Sequence, residues 1–281
     1  MARATVRIGS RGSNLALVQA QFIKQQFEAV HPHITCRIKV IKTTGDQSQK
    51  PIHQIGGKGV FIKELEVALL NQEIDIAVHS FKDITAKPSP ELIYSGFFLK
   101  ERVTDAFIFF NQHSIPPKNM RLATGSLRRK ALCDALYPNI TCVPIRGNIQ
   151  TRIALAKDRG DDGLILSTAG LQRLQLDHQI SFEPSACTFI PAPGQGLIAI
   201  QQRSEDTDLK TQIQHLTDPK VDQLGTQYYR ILQGIDFDCQ LPLGVYIDTD
   251  AIYGFIQAKK PYFFTTKSVE DTIHTLKDHV Q

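Results

Sequence analysis

Short apolar strand patterns alternate with amphipathic helix patterns twice along this chain, and this alternation limits the folds that the sequence can adopt. The first series opens with a strand over residues 5–9, passes through a helix that Ser13 would cap, and continues into a half-buried strand over residues 35–42. A second series starts near Arg121 and reaches a strand over residues 163–166. We predict an α/β fold with two lobes. The first helix is predicted to carry one apolar face, made of Leu15, Val18, Phe22 and Val30.

The length of 281 residues predicts more than one hydrophobic core. We assign domain 1 to residues 1–100 and 197–217, because the apolar run after the second series can carry the chain back to the first lobe. Domain 2 is assigned to residues 101–196. A small third domain, residues 218–281, is predicted to contain short strands and a final amphipathic helix.

Composition narrows the class of partner. The formal charge of +4 is small and mixed along the chain, which argues against nucleic acid, and no apolar run is long enough for a membrane span. The N-terminus shows no signal-peptide core, so we expect a cytoplasmic protein, and no leftover apolar stripe suggests a partner, so we expect a monomer. The cysteines show no spacing typical of a metal site or a disulfide framework; they are Cys36, Cys133, Cys142, Cys187 and Cys239.

Basic side chains are concentrated where predicted strands end, which is the edge at which open α/β sheets bind ligands. Each one alone is better explained as a solvated surface charge. Together, beside helix N-termini, they indicate a small ligand with several carboxylates or phosphates, although no P-loop or Rossmann glycine motif is present. These residues are Arg11, Lys58, Lys82, Arg128, Arg129, Arg146, Arg152 and Arg173.

Two further residues are candidates for chemistry. Asp83 closes the strand-end string His79-Ser-Phe-Lys-Asp83; alone it would be a capping or salt-bridged carboxylate, but in a cationic site it could steady positive charge or act as a general acid. Cys239 is either a buried structural thiol or a reachable one. Pro242 and Gly244 favour a loop there, and the residues alone leave both readings open.

Taken together, these residues resemble the porphobilinogen deaminase family, and the match runs in order through nearly the whole chain. Any one string is weak, but their common order is specific. The strings are Arg7-Ile-Gly-Ser-Arg11, Thr44-Gly-Asp46, Gly56-Gly-Lys-Gly-Val-Phe61, Asp75-Ile-Ala-Val-His-Ser-Phe-Lys-Asp83, Ser126-Leu-Arg-Arg129, Arg146-Gly-Asn148, Ala169-Gly-Leu171, Gly194-Gln-Gly196 and Cys239-Gln-Leu-Pro-Leu-Gly244.

The resemblance implies three domains, the first two like type II periplasmic binding proteins facing a cleft and the third a small α+β domain that carries a cysteine loop. It implies a transferase of haem biosynthesis that condenses four porphobilinogen molecules to hydroxymethylbilane and releases ammonia. Cys239 would hold a dipyrromethane cofactor through a thioether. Asp83 would contact the pyrrole nitrogens, assist the loss of ammonia and stabilise the cationic azafulvene that results.

The resemblance also explains the basic residues, because each pyrrole brings an acetate and a propionate that need partners when buried. The residues that it implies for cofactor binding are Cys239, Ser80, Lys82, Asp83, Ser126, Arg128 and Arg129. Those implied for substrate binding are Arg11, Ser13, Gln19, Arg146, Arg152, Arg173 and Gln195. The implied lid loop is Gly56, Gly57, Lys58 and Gly59, and no metal is implied.

The sequence departs from the family pattern at several positions. Phe237 and Asp238 precede Cys239 where the family has two glycines, and a carboxylate beside a thiol disfavours the thiolate. Thr104 stands in place of an arginine, Gly125 stands where serine is common, and the third domain is shorter than usual. Two alternatives therefore stay open: a degenerate or repurposed family member, and a non-enzymatic anion-binding module with two lobes.

Overall fold

A computed structural model of the chain describes residues 4–47, 59, 61–99, 101–111, 119–237 and 241–280. The chain divides into two compact units: Met1–Lys100 with Leu197–Gln227, and Glu101–Gly196 with Tyr228–Gln281. The last of the three boundaries, between Gln227 and Tyr228, falls inside one long helix, Pro219–Gly234. The division into three domains made from the sequence stays a prediction.

Among the described residues, the strands in chain order are β1 (Thr5–Ser10), β2 (Thr35–Val40), β3 (Ile76–Ser80), β4 (Leu92–Leu99), β5 (Asp105–Phe109), β6 (Met120–Ala123), β7 (Ile140–Val143), β8 (Gly163–Ser167), β9 (Leu197–Arg203), β10 (Leu243–Ile247), β11 (Ile252–Gln257) and β12 (Pro261–Thr266). The helices are α1 (Asn14–Val30), α2 (Thr44–Gln47), α3 (Lys63–Leu70), α4 (Leu127–Leu136), α5 (Ile149–Asp158), α6 (Thr168–Arg173), α7 (Thr207–Gln214), α8 (Pro219–Gly234) and α9 (Val269–Val280). The two series of strands and helices confirm the predicted α/β class.

The first unit is built on a sheet of order β2-β1-β3-β9-β4. Strand β1 is parallel to β2 and β3, with Ile8 opposite Ile76, so the carboxyl ends of β1 and β3 lie at one edge. Strand β9 runs antiparallel between β3 and β4, so the apolar run after the second series forms part of this sheet. The packing of α1 on this sheet forms a core that includes Val6, Ile23 and Phe27.

The apolar face predicted for α1 is wrong. Val18 and Val30 are exposed, and the buried residues of the helix are Ala16, Gln19, Ala20, Ile23 and Phe27. These residues follow the helical period, but one of them is polar. Gln19 is buried because its side chain has a hydrogen-bonding partner in Ser80, which a count of apolar residues does not reveal.

The second unit contains two sheets. One has the order β5-β8-β6-β7, in which β6 is parallel to β7 and β8, and β5 is antiparallel to β8. The carboxyl ends of β6, β7 and β8 therefore share one edge, and the antiparallel direction of β5 brings its first residue, Asp105, opposite Ser167 at that same edge. The other sheet is the antiparallel set β10-β11-β12, which α9 packs against, so that this part has the predicted α+β character.

Candidate functional site

In the first unit, Arg11 and Asp83 meet at the shared carboxyl edge of β1 and β3. Arg11 follows β1, and Asp83 ends the 3-10 turn Phe81–Asp83 that directly follows β3. Arg11 Nη1 lies 3.7 Å from Asp83 Oδ2, and the two side chains are 20% and 32% exposed. The Asp83 carboxylate is therefore both held by a cation and partly exposed at the strand end.

A phenylalanine completes this cluster. The guanidinium carbon of Arg11 lies 4.0 Å from the centroid of the Phe61 ring, which is a cation–π contact. The ring itself is packed against Gly45, where an added Cβ would come within 2.2 Å of a ring carbon. Phe61 ends one of the strings shared with the family but is not among the predicted site residues, since sequence alone does not show what its ring would contact.

Behind this cluster, two glutamines pair with the polar groups at the end of β3. The side-chain amide of Gln19 donates to Ser80 Oγ at 2.8 Å. His79 is buried, with its Nε2 atom 3.1 Å from Gln201 Oε1, and Gln201 in turn donates to Glu66 Oε1 at 2.7 Å. Burial lowers the pKa of His79 to about 4; the contact with Gln201 opposes this shift, and the charge of Arg11 adds to it.

Two predicted ligand-binding serines are helix caps. Ser13 Oγ accepts the Ala16 backbone N–H at 3.3 Å at the start of α1, and Ser126 Oγ accepts the Arg129 backbone N–H at 3.4 Å at the start of α4. Each therefore stabilises a helix N-terminus at a strand end. Lys82 lies half-buried between the buried Phe81 and the accessible Asp83.

The predicted lid falls largely outside the described residues. Gly56, Gly57 and Lys58 lie there, whereas Gly59 is described and has a φ of +78°. Its carbonyl accepts the backbone N–H groups of Ile62 and Lys63, so that it leads into α3. Cys239 and its neighbour Asp238 also lie outside the described residues.

In the second unit, a fully buried aspartate is surrounded by predicted site residues. Asp105 Oδ1 lies 2.7 Å from Arg129 Nη2, and Asp105 Oδ2 lies 2.8 Å from Arg128 Nη1. Gln195 Nε2 also donates to Oδ1 at 3.0 Å. Burial alone would raise the pKa of Asp105, but the charges of Arg128 and Arg129 outweigh burial and hold this pKa well below its usual range.

Arg146 lies in the loop that leads from β7 into α5, and Arg152 is the fourth residue of α5. Arg146 is half-buried, and its Nη1 atom has no hydrogen-bond partner within the described part of the chain. Burial lowers the pKa of Arg146. Arg152 Nε donates to the carbonyl of Gly147 at 2.6 Å, which closes the loop on itself. Arg146 therefore offers a donor that an anionic ligand can use.

Arg173 is engaged inside the second unit. Its Nε atom donates to Glu101 Oε2 at 2.7 Å and its Nη2 atom donates to the carbonyl of Gly196 at 2.6 Å, with both charged side chains less than 10% exposed. Burial lowers the pKa of Arg173, and Glu101 opposes this shift. No local sequence pattern indicates Glu101, because its partner is 72 positions away.

Two departures from the family pattern fit their surroundings. Thr104 Oγ1 donates to Glu183 and lies 3.1 Å from Thr168 Oγ1, so it forms hydrogen bonds at a position where the resemblance implies an arginine. Gly125 lies against the carbonyl oxygen of Ile145, which an added Cβ would approach to 2.6 Å. A serine at this position would therefore require a backbone shift.

Across the described residues, no helix is both long and apolar enough to cross a membrane.

Comparison with known proteins identifies relatives of this chain. Residues 6–211 match the family model described as "Porphobilinogen deaminase, dipyromethane cofactor binding domain". The chain is 38% identical to porphobilinogen deaminase of Lachnospira eligens over 248 residues, covering 86% of this chain and 84% of the relative. It is 36% identical to porphobilinogen deaminase of Rickettsia bellii over 281 residues, covering 93% and 91%.

A further relative and one solved structure complete the comparison. Porphobilinogen deaminase of Coxiella burnetii is 35% identical over 245 residues, covering 87% of this chain and 80% of the relative. A TRAP periplasmic solute binding protein from Desulfovibrio salexigens is 11% identical, with a TM-score of 0.48 over 82% of this chain and 78% of that chain. Because this similarity is low, the fold is described by the strand orders given above.

Proposed function

Because the chain belongs to the porphobilinogen deaminase family, we propose that it is the transferase that joins four porphobilinogen molecules into hydroxymethylbilane and releases ammonia, on a covalently held dipyrromethane primer. The placement of Asp83 carries this proposal. Its carboxylate is accessible at the carboxyl edge of the first-unit sheet, beside Arg11. A negative charge fixed at a ligand-binding edge is what a substrate that becomes positively charged requires.

Asp83 is the catalytic residue of this proposal. Its carboxylate accepts a hydrogen bond from the pyrrole N–H of porphobilinogen and stabilises the positive charge that the ring gains as its amino group leaves as ammonia. Arg11 and Phe61 keep the carboxylate at its place, since Arg11 contacts both groups. Preorganised charge of this kind needs no reorganisation during the reaction.

The residues of the second unit fit the primer that the family implies. Arg128 Nε and Arg146 Nη1 are buried donors that lack a hydrogen-bond partner among the described residues. Linked pyrroles carry carboxylates, which are the acceptors that guanidinium groups pair with best. When bound, the primer supplies the free pyrrole carbon to which the first substrate is joined. We propose that Ser80, Lys82, Asp83, Ser126 and Arg128 hold the primer, and that it is attached to Cys239. Arg129 belongs to the same cluster but is bonded to Asp105 and Ile165.

The remaining predicted residues divide by what they already contact. Arg146 has a donor to offer to the acetate or propionate of the substrate. Ser13 caps α1, and Arg173 and Gln195 are bonded within the second unit, so we propose that these three hold the substrate-binding surface in shape. Arg11, Gln19 and Arg152 complete the substrate-binding set. The segment Gly56 to Gly59 is proposed as the lid.

We also propose that the protein works in the cytoplasm as a monomer. The described cysteines, Cys36, Cys133, Cys142 and Cys187, are free thiols, which is typical of a reducing compartment. Size-exclusion chromatography with light scattering at working concentration tests the oligomeric state, and a mass twice that of the chain would contradict it.

The function is tested with the charge-removing variant Asp83→Asn, which keeps the shape of the side chain. Porphobilinogen consumption is expected to fall at least about a hundredfold, because the variant no longer stabilises the developing positive charge. The control is Asp134→Asn, which removes an exposed carboxylate paired with Lys130 on α4. If Asp83→Asn keeps most of the activity, the assigned role of Asp83 is wrong; if the wild-type protein consumes no porphobilinogen, the non-enzymatic alternative is favoured.

A further inference from the structure

The buried carboxylate of Asp105 has no part in the reaction described above, yet three predicted ligand-binding side chains meet on it. Asp105 is the first residue of β5 and is 0% exposed. Arg128 and Arg129 reach it from the first turn of α4, and Gln195 reaches it from the segment before β9. Gln195 Nε2 is also within hydrogen-bonding distance of the carbonyls of Val103 and Thr104. Gln195 therefore links the Asp105 carboxylate to the backbone that leads into β5.

The two arginines differ in what they have left to offer. Arg129 donates from Nε and Nη2 to Asp105 Oδ1, at 2.9 and 2.7 Å. Its Nη1 atom donates to the carbonyl of Ile165 at 3.1 Å. Every nitrogen of this guanidinium therefore has an acceptor inside the second unit. A ligand carboxylate would have to displace an existing bond to engage it.

Arg128 has a nitrogen without an acceptor. Its Nη1 atom donates to the carbonyl of Ile190 at 2.7 Å and forms a close ion pair with Asp105 Oδ2 at 2.8 Å that lacks hydrogen-bond alignment. The Nε atom of Arg128 is buried and has no hydrogen-bond partner within the described ranges. A buried charged donor without an acceptor is unfavourable, so this guanidinium is prepared for an anionic ligand.

We propose that Asp105 is a positioning residue. Its carboxylate accepts the hydrogen bonds of Arg129 and forms the ion pair that orients Arg128, so that only Arg128 of the pair presents its guanidinium to a carboxylate of the primer. This inference rests on the proposed function and deepens it. The two adjacent arginines of the sequence motif thereby have different roles, one as the partner of a buried carboxylate and the other as the ligand-binding group. Two buried hydrogen bonds from one guanidinium to the same carboxylate oxygen fix the guanidinium plane in a way that an exposed ion pair does not.

The test measures loading of the primer and not the release of hydroxymethylbilane. Apoprotein from a host that makes no porphobilinogen is incubated with increasing porphobilinogen, and the intact mass gives the fraction that has gained the primer. Arg128→Gln is expected to raise the porphobilinogen concentration for half-loading at least about tenfold. Arg129→Gln is expected to lower the apoprotein Tm by several degrees and to change half-loading much less.

A charge-balanced variant keeps the proposal falsifiable if Arg129→Gln does not fold. Asp105→Asn with Arg129→Gln removes one negative and one positive charge and leaves Arg128 in place. It is expected to fold and to need at least about tenfold more porphobilinogen for half-loading, because Arg128 has lost its orienting carboxylate. Half-loading at the wild-type concentration would overturn the inference, as would equal shifts in half-loading for Arg128→Gln and Arg129→Gln. Wild-type apoprotein that never gains the mass would overturn the proposed function itself, and the inference with it.

Discussion

At the scale of single residues, the Phe61 ring contacts the Arg11 guanidinium, and Arg11 in turn contacts the carboxylate of Asp83. The aromatic ring is fixed by its close approach to Gly45 and lies under the guanidinium at 4.0 Å. Arg11 is thus restrained from two sides, by the ring and by the carboxylate of Asp83 at 3.7 Å. A flat ring and a guanidinium stack over a larger contact area than an aliphatic chain allows.

We therefore predict different outcomes for two substitutions of this ring. Phe61→Leu removes the cation–π contact, which is worth about 0.5–1 kcal/mol at a partly exposed site, and should raise the KM for porphobilinogen about two- to fivefold. Phe61→Tyr keeps an aromatic ring and should stay near the wild-type KM. Steady-state kinetics of both variants measure this; the same KM in both would show that the ring does not act through its π face.

At the scale of elements, the junctions between strands and helices place basic residues at the sheet edge of each unit. Gly12-Ser13 connects β1 to α1 in the first unit, and Gly125-Ser126 connects β6 to α4 in the second, each with the serine as helix cap. The two glycines differ in their surroundings. A Cβ on Gly125 would come within 2.6 Å of the Ile145 carbonyl oxygen, whereas one on Gly12 would meet a Val40 methyl carbon at 3.3 Å.

This difference predicts the stability of serine variants. Gly125→Ser should lower the free energy of unfolding by about 1–3 kcal/mol, because the backbone before Arg146 has to move away from the new side chain. Gly12→Ser is the matched control and should change it by less, since a side-chain methyl group yields more easily than a backbone carbonyl. Urea unfolding measures both. Equal stability of Gly125→Ser and the wild type would show that the junction is loose.

The same elements show how far the sequence predicts this protein. The order of strands and helices, the cap at Ser13 and the carboxyl-edge position of Asp83 follow from local patterns, and the structure confirms them. The prediction of the buried face of α1 was wrong, because Gln19 is buried and forms a hydrogen bond with Ser80, 61 positions away. Asp105 was missed for a similar reason. Its acidic side chain precedes an apolar strand, but only the tertiary fold supplies the two arginines that allow its burial.

At the scale of the whole molecule, buried ionisable groups make the stability depend on pH. His79 is 4% exposed, and burial together with Arg11 lowers its pKa to about 4 from an ordinary 6.5. Between these values the unfolded chain binds a proton on His79 and the folded chain does not. The stability that neutral His79 provides is therefore complete above about pH 6.5 and is lost as the pH falls toward 4.

We predict that this loss is specific to the histidine. Between about pH 7.5 and about pH 5, His79 should account for a loss of about 2 kcal/mol in the free energy of unfolding. His79→Gln cannot bind a proton in either state and should lack this part of the pH dependence. Urea unfolding of both proteins at the two pH values gives the difference. Identical pH slopes in the two proteins would mean that His79 is not buried in the neutral form.

The dipyrromethane primer proposed on Cys239 is tested by the intact mass of the purified protein. Protein from a host that makes porphobilinogen is weighed beside Cys239→Ser from the same host. We expect a surplus equal to two linked pyrrole units in the wild type and none in the variant. A wild-type mass equal to that of the bare chain would show that Cys239 holds no primer and would favour a degenerate or non-enzymatic member of the family.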